Sequence, residues 1–373
     1  MMTGTEMDNS KQANKHYRIL VINPGSNSTK LAVFENLTVV DQFDIPHTAE
    51  TIASFSSAVY DQYEYRLACV RECIAERGID LSTFDAIAGR GGFARIKDSG
   101  TYRVNDQMVE DLANPTAEHV ANLGGILAKE LGDPFGLPAY ITDPTCIDEM
   151  DDIARVTGFE GMERKLKWQP LSHKATAKRL ATDLGVAYED SNFIIGHLGG
   201  GITIGAHCHG RVIDVNNGLD GDGPFSVDRP GTMPIQDLIA YCFEGGRTKE
   251  DCVKEFISRG GIYSYFGTVD SNEVEQMALN GDKKACLILD AWAYQIAKEI
   301  GALATVLEGK VDAIALTGGV ARSEYITDRI RKRVEWIAPF YLYPGSLEME
   351  ALAAGALHDL DGTVPAKDYV RAW

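Results

Sequence analysis

Arg18-Ile-Leu-Val-Ile22 runs into Asn23-Pro-Gly-Ser-Asn-Ser-Thr29, leaves through Lys30-Leu-Ala-Val-Phe34, and is followed by a β-rich run near Val39–Ile45. The same design returns about 175 residues later. Phe193-Ile-Ile195 leads to His197-Leu-Gly-Gly-Gly201, then to Ile202-Thr-Ile-Gly-Ala-His207, a Cys-His-Gly-Arg turn and Val212-Ile-Asp-Val215. Each stretch reads as an apolar strand, a glycine-containing polar turn, a second strand, a tight turn and a third strand. Such a meander occurring twice predicts a duplicated α/β domain, although two hairpins can also resemble each other by chance.

Helical periodicity surrounds both meanders, over Ser54–Arg77, Glu118–Leu131, Ser172–Leu184, Ile235–Glu244, Lys283–Leu307, Glu324–Val334 and Glu348–Leu360. After the longest of these, Val311-Asp-Ala-Ile-Ala-Leu316 forms a buried strand that ends in Thr317-Gly-Gly-Val320, and Leu137–Asp143 delivers a carboxylate to a strand end. Strands interleaved with helices predict α/β layers with the site at strand ends.

The 373 residues are 45% hydrophobic, a globular composition whose length suits two domains. A formal net charge of -18 excludes a broad basic face for nucleic acid or anionic lipid, so an anionic substrate must meet positive charge locally. Seven dispersed cysteines without a CxxC pair read as reduced thiols of a cytoplasmic protein. The first sixteen residues, through His16, are polar and read as a disordered extension and not a signal peptide. Apolar runs all fall short of a membrane span.

Asn23–Lys30 crowds hydroxyls, an amide, backbone N–H groups and one lysine into a turn, with Ser26, Ser28 and Lys30 suited to a phosphate chain. It is not a Walker A loop, and an ordinary hairpin turn has the same spacing. In Gly199–Gly201 three glycines allow close backbone approach to a ligand, and His197 is either a phosphate donor or a structural strand-end residue. Asn216–Arg229 is a long glycine-rich loop ending in an arginine, and Arg90 stands between glycines after Ala86-Ile-Ala88. Either arginine is a carboxylate or phosphoryl fork or a surface residue. His207 and His209 place two imidazoles on one strand face, without further ligands spaced for zinc. The carboxylates of Asp148, Glu149, Asp151 and Asp152 read as a solvated helix face.

With these loops in view, the chain resembles the acetate kinase family of the actin-like phosphotransferases, its butyrate-phosphorylating members most closely. The likeness runs from about Arg18 to the C-terminus. It rests on Leu20-Val-Ile-Asn-Pro-Gly-Ser-Asn-Ser-Thr-Lys30, Gly196–His207, Gly210-Arg-Val-Ile-Asp-Val-Asn-Asn217, Asp220-Gly-Asp-Gly-Pro-Phe-Ser226, Asp290–Gly301 and Leu316-Thr-Gly-Gly-Val320. The resemblance implies two duplicated ribonuclease-H-like domains with an active-site cleft between them. The first is expected over 17–155, completed by a C-terminal helix within 350–373, and the nucleotide-binding second over 156–349.

It further implies ATP and Mg²⁺ as cofactors, a short-chain fatty acid such as butyrate as acceptor, and a homodimer or higher homo-oligomer. By motif, Asn23, Asp143 and Glu348 would position Mg²⁺, and Arg90 and Arg229 would hold the acceptor carboxylate and the moving phosphoryl charge. His197 with Gly199, Gly200 and Gly201 would cradle phosphates, and Gly318 and Gly319 would border the adenosine. Two departures stand out. Trp168-Gln-Pro-Leu-Ser-His-Lys-Ala175 replaces the family's Phe-His-Ala-Leu-Asn-Gln-Lys-Ala, so Gln169 occupies the position of the phosphoryl-stabilising histidine, and His173 follows one helical turn later as a substitute. Pro344-Gly-Ser-Leu-Glu-Met-Glu350 lacks the acidic pair usual before Glu348. A nucleotide-binding switch without catalysis is the competing expectation. A dehydrogenase is disfavoured by the absence of GxGxxG with a later ribose acid.

Overall fold

Each of the two meanders nucleates a sheet. The computed structural model describes residues 15–56 and 58–372. The extension expected through His16 therefore lies, apart from Lys15 and His16, outside the described residues. The chain divides into two compact units. The first holds residues 15–95, 100–144 and 349–372; the second holds Ile96–Ser99 and Thr145–Glu348. Residues 145–155, expected from the sequence in the first domain, make their bonds in the second unit. The Asp151 amide donates to Ile213 O across 3.0 Å, and Trp168 Nε1 donates to Ile147 O across 2.8 Å.

In the first unit β1 (Arg18–Pro24), β2 (Ser28–Glu35) and β3 (Thr38–Pro46) form the antiparallel meander. β4 (Ala86–Arg90) lies parallel to β1, β6 (Ala139–Thr142) lies parallel to β4, and the short β5 (Thr101–Arg103) runs antiparallel to β6. The sheet order is Lys367–Asp368, β5, β6, β4, β1, β2, β3. In the second unit β7 (Asn192–Leu198), β8 (Ile202–Cys208) and β9 (Arg211–Val215) repeat the meander. β10 (Ala313–Gly318) and β11 (Phe340–Pro344) are added in parallel, giving the order β11, β10, β7, β8, β9. The run β6-β4-β1-β2-β3 thus has the same order as β11-β10-β7-β8-β9, which is the duplication expected from the sequence.

Most helices form where the periodicity places them, including Asn122–Gly132, Pro170–Leu184, Lys283–Val306 and Glu348–Leu360. Asp282 caps Lys283–Val306 by accepting from the Ala285 amide. Its buried Leu289, Trp292, Ile296, Ile300 and Leu303 recur at helical spacing and cover the second sheet. Between Ser54 and Arg77 the expected helix is shorter, Tyr63–Glu76, after a 3₁₀ turn at Val59–Gln62. The helices Asp106–Ala113, Lys249–Ser258, Gly261–Phe266 and Ser271–Leu279, and the strands β5 and β11, were not anticipated. No helix among the described residues is long and apolar enough to cross a membrane.

The helix Asn122–Gly132 touches β4 backbone to backbone. A Cβ on Gly89 would lie 2.0 Å from Gly124 O, and a Cβ on Gly124 would lie 2.3 Å from Arg90 O. Only paired glycines permit that approach, and it fixes the strand end that carries Arg90. Gly301, inside the helix Lys283–Val306, meets nothing within 4 Å. Gly124→Ala is therefore expected to destabilise the protein by roughly 2 kcal/mol through overpacking. Gly301→Ala is expected to stabilise it by about 0.5–1 kcal/mol through helix propensity. Urea unfolding of the two variants checks the opposite signs.

Candidate active site

Three parallel strands of the first unit end together. Their register sets Ile22 beside Gly89 and Arg90 beside Thr142, so Asn23, Arg90 and Asp143 stand at adjacent carboxyl ends. Arg90 Nη1 donates to Asn23 Oδ1 across 3.4 Å, and both Asn23 and Asp143 are buried. Asp143 has φ +41, a left-handed conformation that costs a non-glycine residue on the order of 1–2 kcal/mol. Gly100 holds it there by a reciprocal pair: the Gly100 amide donates to Asp143 Oδ1 across 2.8 Å, and the Asp143 amide donates to Gly100 O across 3.0 Å.

The turn after β1 closes through the Gly25 amide on Ser28 O, 2.7 Å. Ser26 and Lys30 are exposed and Ser28 is half-buried, with Lys30 directly across the ladder from Asn23. Beneath the turn lies Arg66, fully buried. It donates to Thr29 Oγ1 and Gln62 Oε1, each across 3.0 Å, and to Ser26 O across 3.4 Å; these partners, among the described residues, are all neutral. Burial, then the Arg66 charge, pulls His47 down to about 4, and its Nε2 sits 2.8 Å from Thr29 Oγ1. Sequence reasoning missed Arg66, yet it shares a helix face with Val70 and Ile74, where an apolar residue belongs.

In the second unit β7 and β10 end side by side, Thr317 pairing with His197. Gly318 has φ +94, and a Cβ there would lie 2.2 Å from Leu198 O, so this position demands glycine. Gly319 is exposed beyond it. His197 is aimed by Ser172, whose Oγ lies 2.8 Å from Nδ1. Its Nε2 then sits under Gly199, 2.8 Å from where a Cβ would stand. Gly200 is exposed, and Gly201 is buried against Gly218. Arg229 is not an open fork. Its Nη1 donates to Gly200 O and to Asp228 Oδ1, each across 2.7 Å, and its Nε donates to Leu219 O across 3.0 Å. It therefore ties the glycine loop to the loop Asn216–Arg229. Glu348 opens the helix Glu348–Leu360, its amide donating to Ser346 Oγ across 3.2 Å.

Gln169 stands at the N-cap of the helix Pro170–Leu184, half-buried, and its Oε1 accepts from Thr203 Oγ1 across 2.5 Å. His173 is not available to swing toward the loop. It is fully buried, edge-on to Trp168 and stacked on His207, with Nε2 2.8 Å from Thr203 Oγ1. Burial, followed by the charges of His197 and Lys174, holds His173 down at about 3. His207 lies well below its ordinary value for the first of these reasons. His207 and His209 do not share a face, because β8 ends at Cys208 and His209 turns away at φ +47.

Nor do the carboxylates form a solvated helix face. The helical turn is only Asp152–Arg155, and Glu149 is largely shielded from water against Lys174 Nζ at 2.6 Å, with a further bond from the Val212 amide. Burial alone would raise the Glu149 carboxyl, but the Lys174 charge and these hydrogen bonds hold it below the usual range.

With the loops of the second unit in place, their wider kinship can be stated. Residues 161–337 match the acetokinase family model. That segment is similar to the acetokinase family. It carries Gln169, His197, the Gly199–Gly201 loop, Arg229 and Gly318. The fold is similar to that of Porphyromonas gingivalis acetate kinase, with a TM-score of 0.75 and 19% identity over 92% of this chain and 99% of that one. It is also similar to a propionate kinase from Francisella tularensis, with a TM-score of 0.71 and 18% identity over 91% and 98% of the two chains. Entamoeba histolytica acetate kinase gives 0.71 and 16% over 91% and 98%. At these identities the likeness establishes the fold: the α/β, two-domain architecture of acetate kinases and actin-like ATPases.

An imidazole that is neutral in the fold but titrates near 6.5 when unfolded supports the fold above that pH and loses this contribution as pH falls toward its folded value. For His173 the loss between pH 7 and 5 is expected to be about 2 kcal/mol. Urea unfolding at the two pH values measures it, and His173→Gln should shrink the pH-dependent part while lowering stability at both.

Proposed function

We propose that the chain is a carboxylate kinase of the acetate kinase family that converts ATP and butanoate, or a branched short-chain acid, reversibly into ADP and butanoyl phosphate. A carboxylate oxygen attacks the γ-phosphorus in line. The bond from that phosphorus to the oxygen shared with the β-phosphate breaks, and its electron pair leaves with ADP. The observation that carries this reading is the acetokinase match over the segment that builds the His197–Gly201 loop and its Arg229 tie.

Such a transfer needs positioning and positive charge and little covalent chemistry. In the proposal Arg90, and Arg229 through the Nη2 that its ties to Leu219, Gly200 and Asp228 do not use, hold the acceptor carboxylate and the charge that develops on the moving phosphoryl group. Ser26, Ser28, Lys30, His197 and the glycine loop hold phosphates, and Gly318 and Gly319 border the adenosine. Asn23 Oδ1 and the Asp143 carboxylate are hard oxygen donors at the carboxyl ends of β1 and β6, on either side of β4, a donor set that suits Mg²⁺, and Glu348 is the third residue assigned to it. Bound there, Mg²⁺ would neutralise charge on the phosphate oxygens. Gln169 offers the phosphoryl group a neutral donor. Its neutrality favours one second reading, a weakened nucleotide-binding protein of the same fold. The proposed setting is the cytoplasm and the proposed partner a second copy of the chain, which the exposed row Ile235, Ile239 and Phe243 on one helix supports.

Trapping of acyl phosphate as hydroxamate, with Mg²⁺, ATP and C2–C6 acids in turn, is expected to give its highest rate with butyrate. ATP binding without hydroxamate from any acid would select the second reading. Arg90→Ala and Arg229→Ala should each cost on the order of 3 kcal/mol, roughly a hundredfold or more in kcat. Because Arg229 also holds Gly200, its loss should raise the KM for ATP as well, whereas Arg90→Ala should act on kcat with little change in that KM.

A further inference from the structure

A buried chain of polar groups runs from Tyr188 to Gln169, and its protons all point one way. Thr203 Oγ1 donates to Gln169 Oε1 across 2.5 Å, and a carboxamide oxygen only accepts. A hydroxyl has one proton, so toward His173 Nε2, 2.8 Å away, Thr203 is the acceptor and the ring nitrogen is the donor. Burial keeps His173 and His207 uncharged, so each ring carries a single proton. His173 Nδ1 is then bare and accepts from His207 Nε2 at 3.4 Å, which leaves His207 Nδ1 to accept from the Tyr188 hydroxyl at 2.7 Å. The two rings stack within 2° of parallel, so the chain passes through a fixed pair of planes.

The direction matters at its far end. A carboxamide is nearly the same shape after a half-turn, but one orientation presents an oxygen and the other an NH₂. With Oε1 held by Thr203, Nε2 faces the glycine loop, 3.4 Å from where a Cβ on Gly201 would stand. An oxygen in that place would repel a developing phosphoryl anion; an NH₂ donates to it.

We infer that Thr203, with His173, His207 and Tyr188 behind it, is a positioning residue that locks the Gln169 carboxamide with its NH₂ toward the glycine loop. The inference rests on the carboxylate-kinase reading, in which that NH₂ meets the transferring phosphoryl group. The Tyr188 hydroxyl starts the array. Without its proton both imidazoles can exchange tautomers, Thr203 can donate to His173, and the Gln169 amide turns over to give its NH₂ to Thr203.

The test uses the full chain with Tyr188→Phe, Thr203→Val and Thr203→Ser, assayed for hydroxamate from butyrate and ATP. Tyr188→Phe and Thr203→Val should lower kcat about tenfold with KM for ATP within twofold, and Thr203→Ser should return kcat to near the wild-type value. Wild-type kcat in folded Tyr188→Phe and Thr203→Val overturns the inference, as does a loss that serine does not rescue. If Thr203→Val fails to fold, Tyr188→Phe, which removes one oxygen, decides alone.

The failure of the kinase reading is recognised separately. It would appear as no hydroxamate from the wild type with any C2–C6 acid. The lock is then read from the ¹⁵N-glutamine side-chain signals, with Gln169 assigned by its loss in Gln169→Ala. A single slowly exchanging NH₂ pair, shifted by Tyr188→Phe and kept by Thr203→Ser, supports the lock. A pair indifferent to Tyr188→Phe overturns it.

Discussion

Ile19, Leu20, Val21 and Ile22 are sealed from water in the first sheet, and Phe193, Ile194 and Ile195 are sealed in the second. A strand buried on both faces cannot carry an unpaired polar side chain along its length, because each would cost on the order of 1–3 kcal/mol. Polar chemistry is therefore displaced to the ends of these strands, where the ladder stops and backbone groups need other partners. Asn23, Arg90 and Asp143 at one sheet, and His197 at the other, are all residues of this kind.

Strand ends have to be held still, and each unit does so by close backbone contact and by hydrogen-bond networks that include uncharged imidazoles. Gly89 on Gly124 anchors the end of β4, and Gly318 under Leu198 O anchors the end of β10. Around these anchors, Thr29 with His47, and Thr203 with His173 and His207, connect buried imidazoles that stay uncharged. Exact satisfaction of such groups matters more than their number, since one partner lost leaves another buried and unbonded.

The meanders, the glycine loops and the long helices were legible because their signals are local: periodicity, a cap, a run of glycines. What escaped the sequence depends on residues far apart in it. Glu149 looked solvated among neighbouring carboxylates, but its partner Lys174 lies 25 residues away. Gly124 reads as a weakness in a helix until Arg90 O is seen beside it. Arg229 was recognised as important, while its commitment to Gly200 and Leu219 needed coordinates. The helix Lys249–Ser258 was readable in principle: Thr248 and Asp251 form a capping box, but the helix is polar and buries only Cys252, so no apolar stripe announced it.

Arg66 has a consequence for how the protein meets anions. The chain as a whole is strongly acidic, with net charge -18, and its outer field disfavours the approach of anions. Salt weakens that outer field within about 10 Å at 0.1 M. A guanidinium sealed under the Ser26–Ser28 turn, with neutral partners among the described residues, is beyond the reach of mobile ions. Raising the ionic strength therefore relaxes the repulsion and leaves the local attraction at the turn in place, so an anion held there gains from moderate salt where most charge-driven complexes lose.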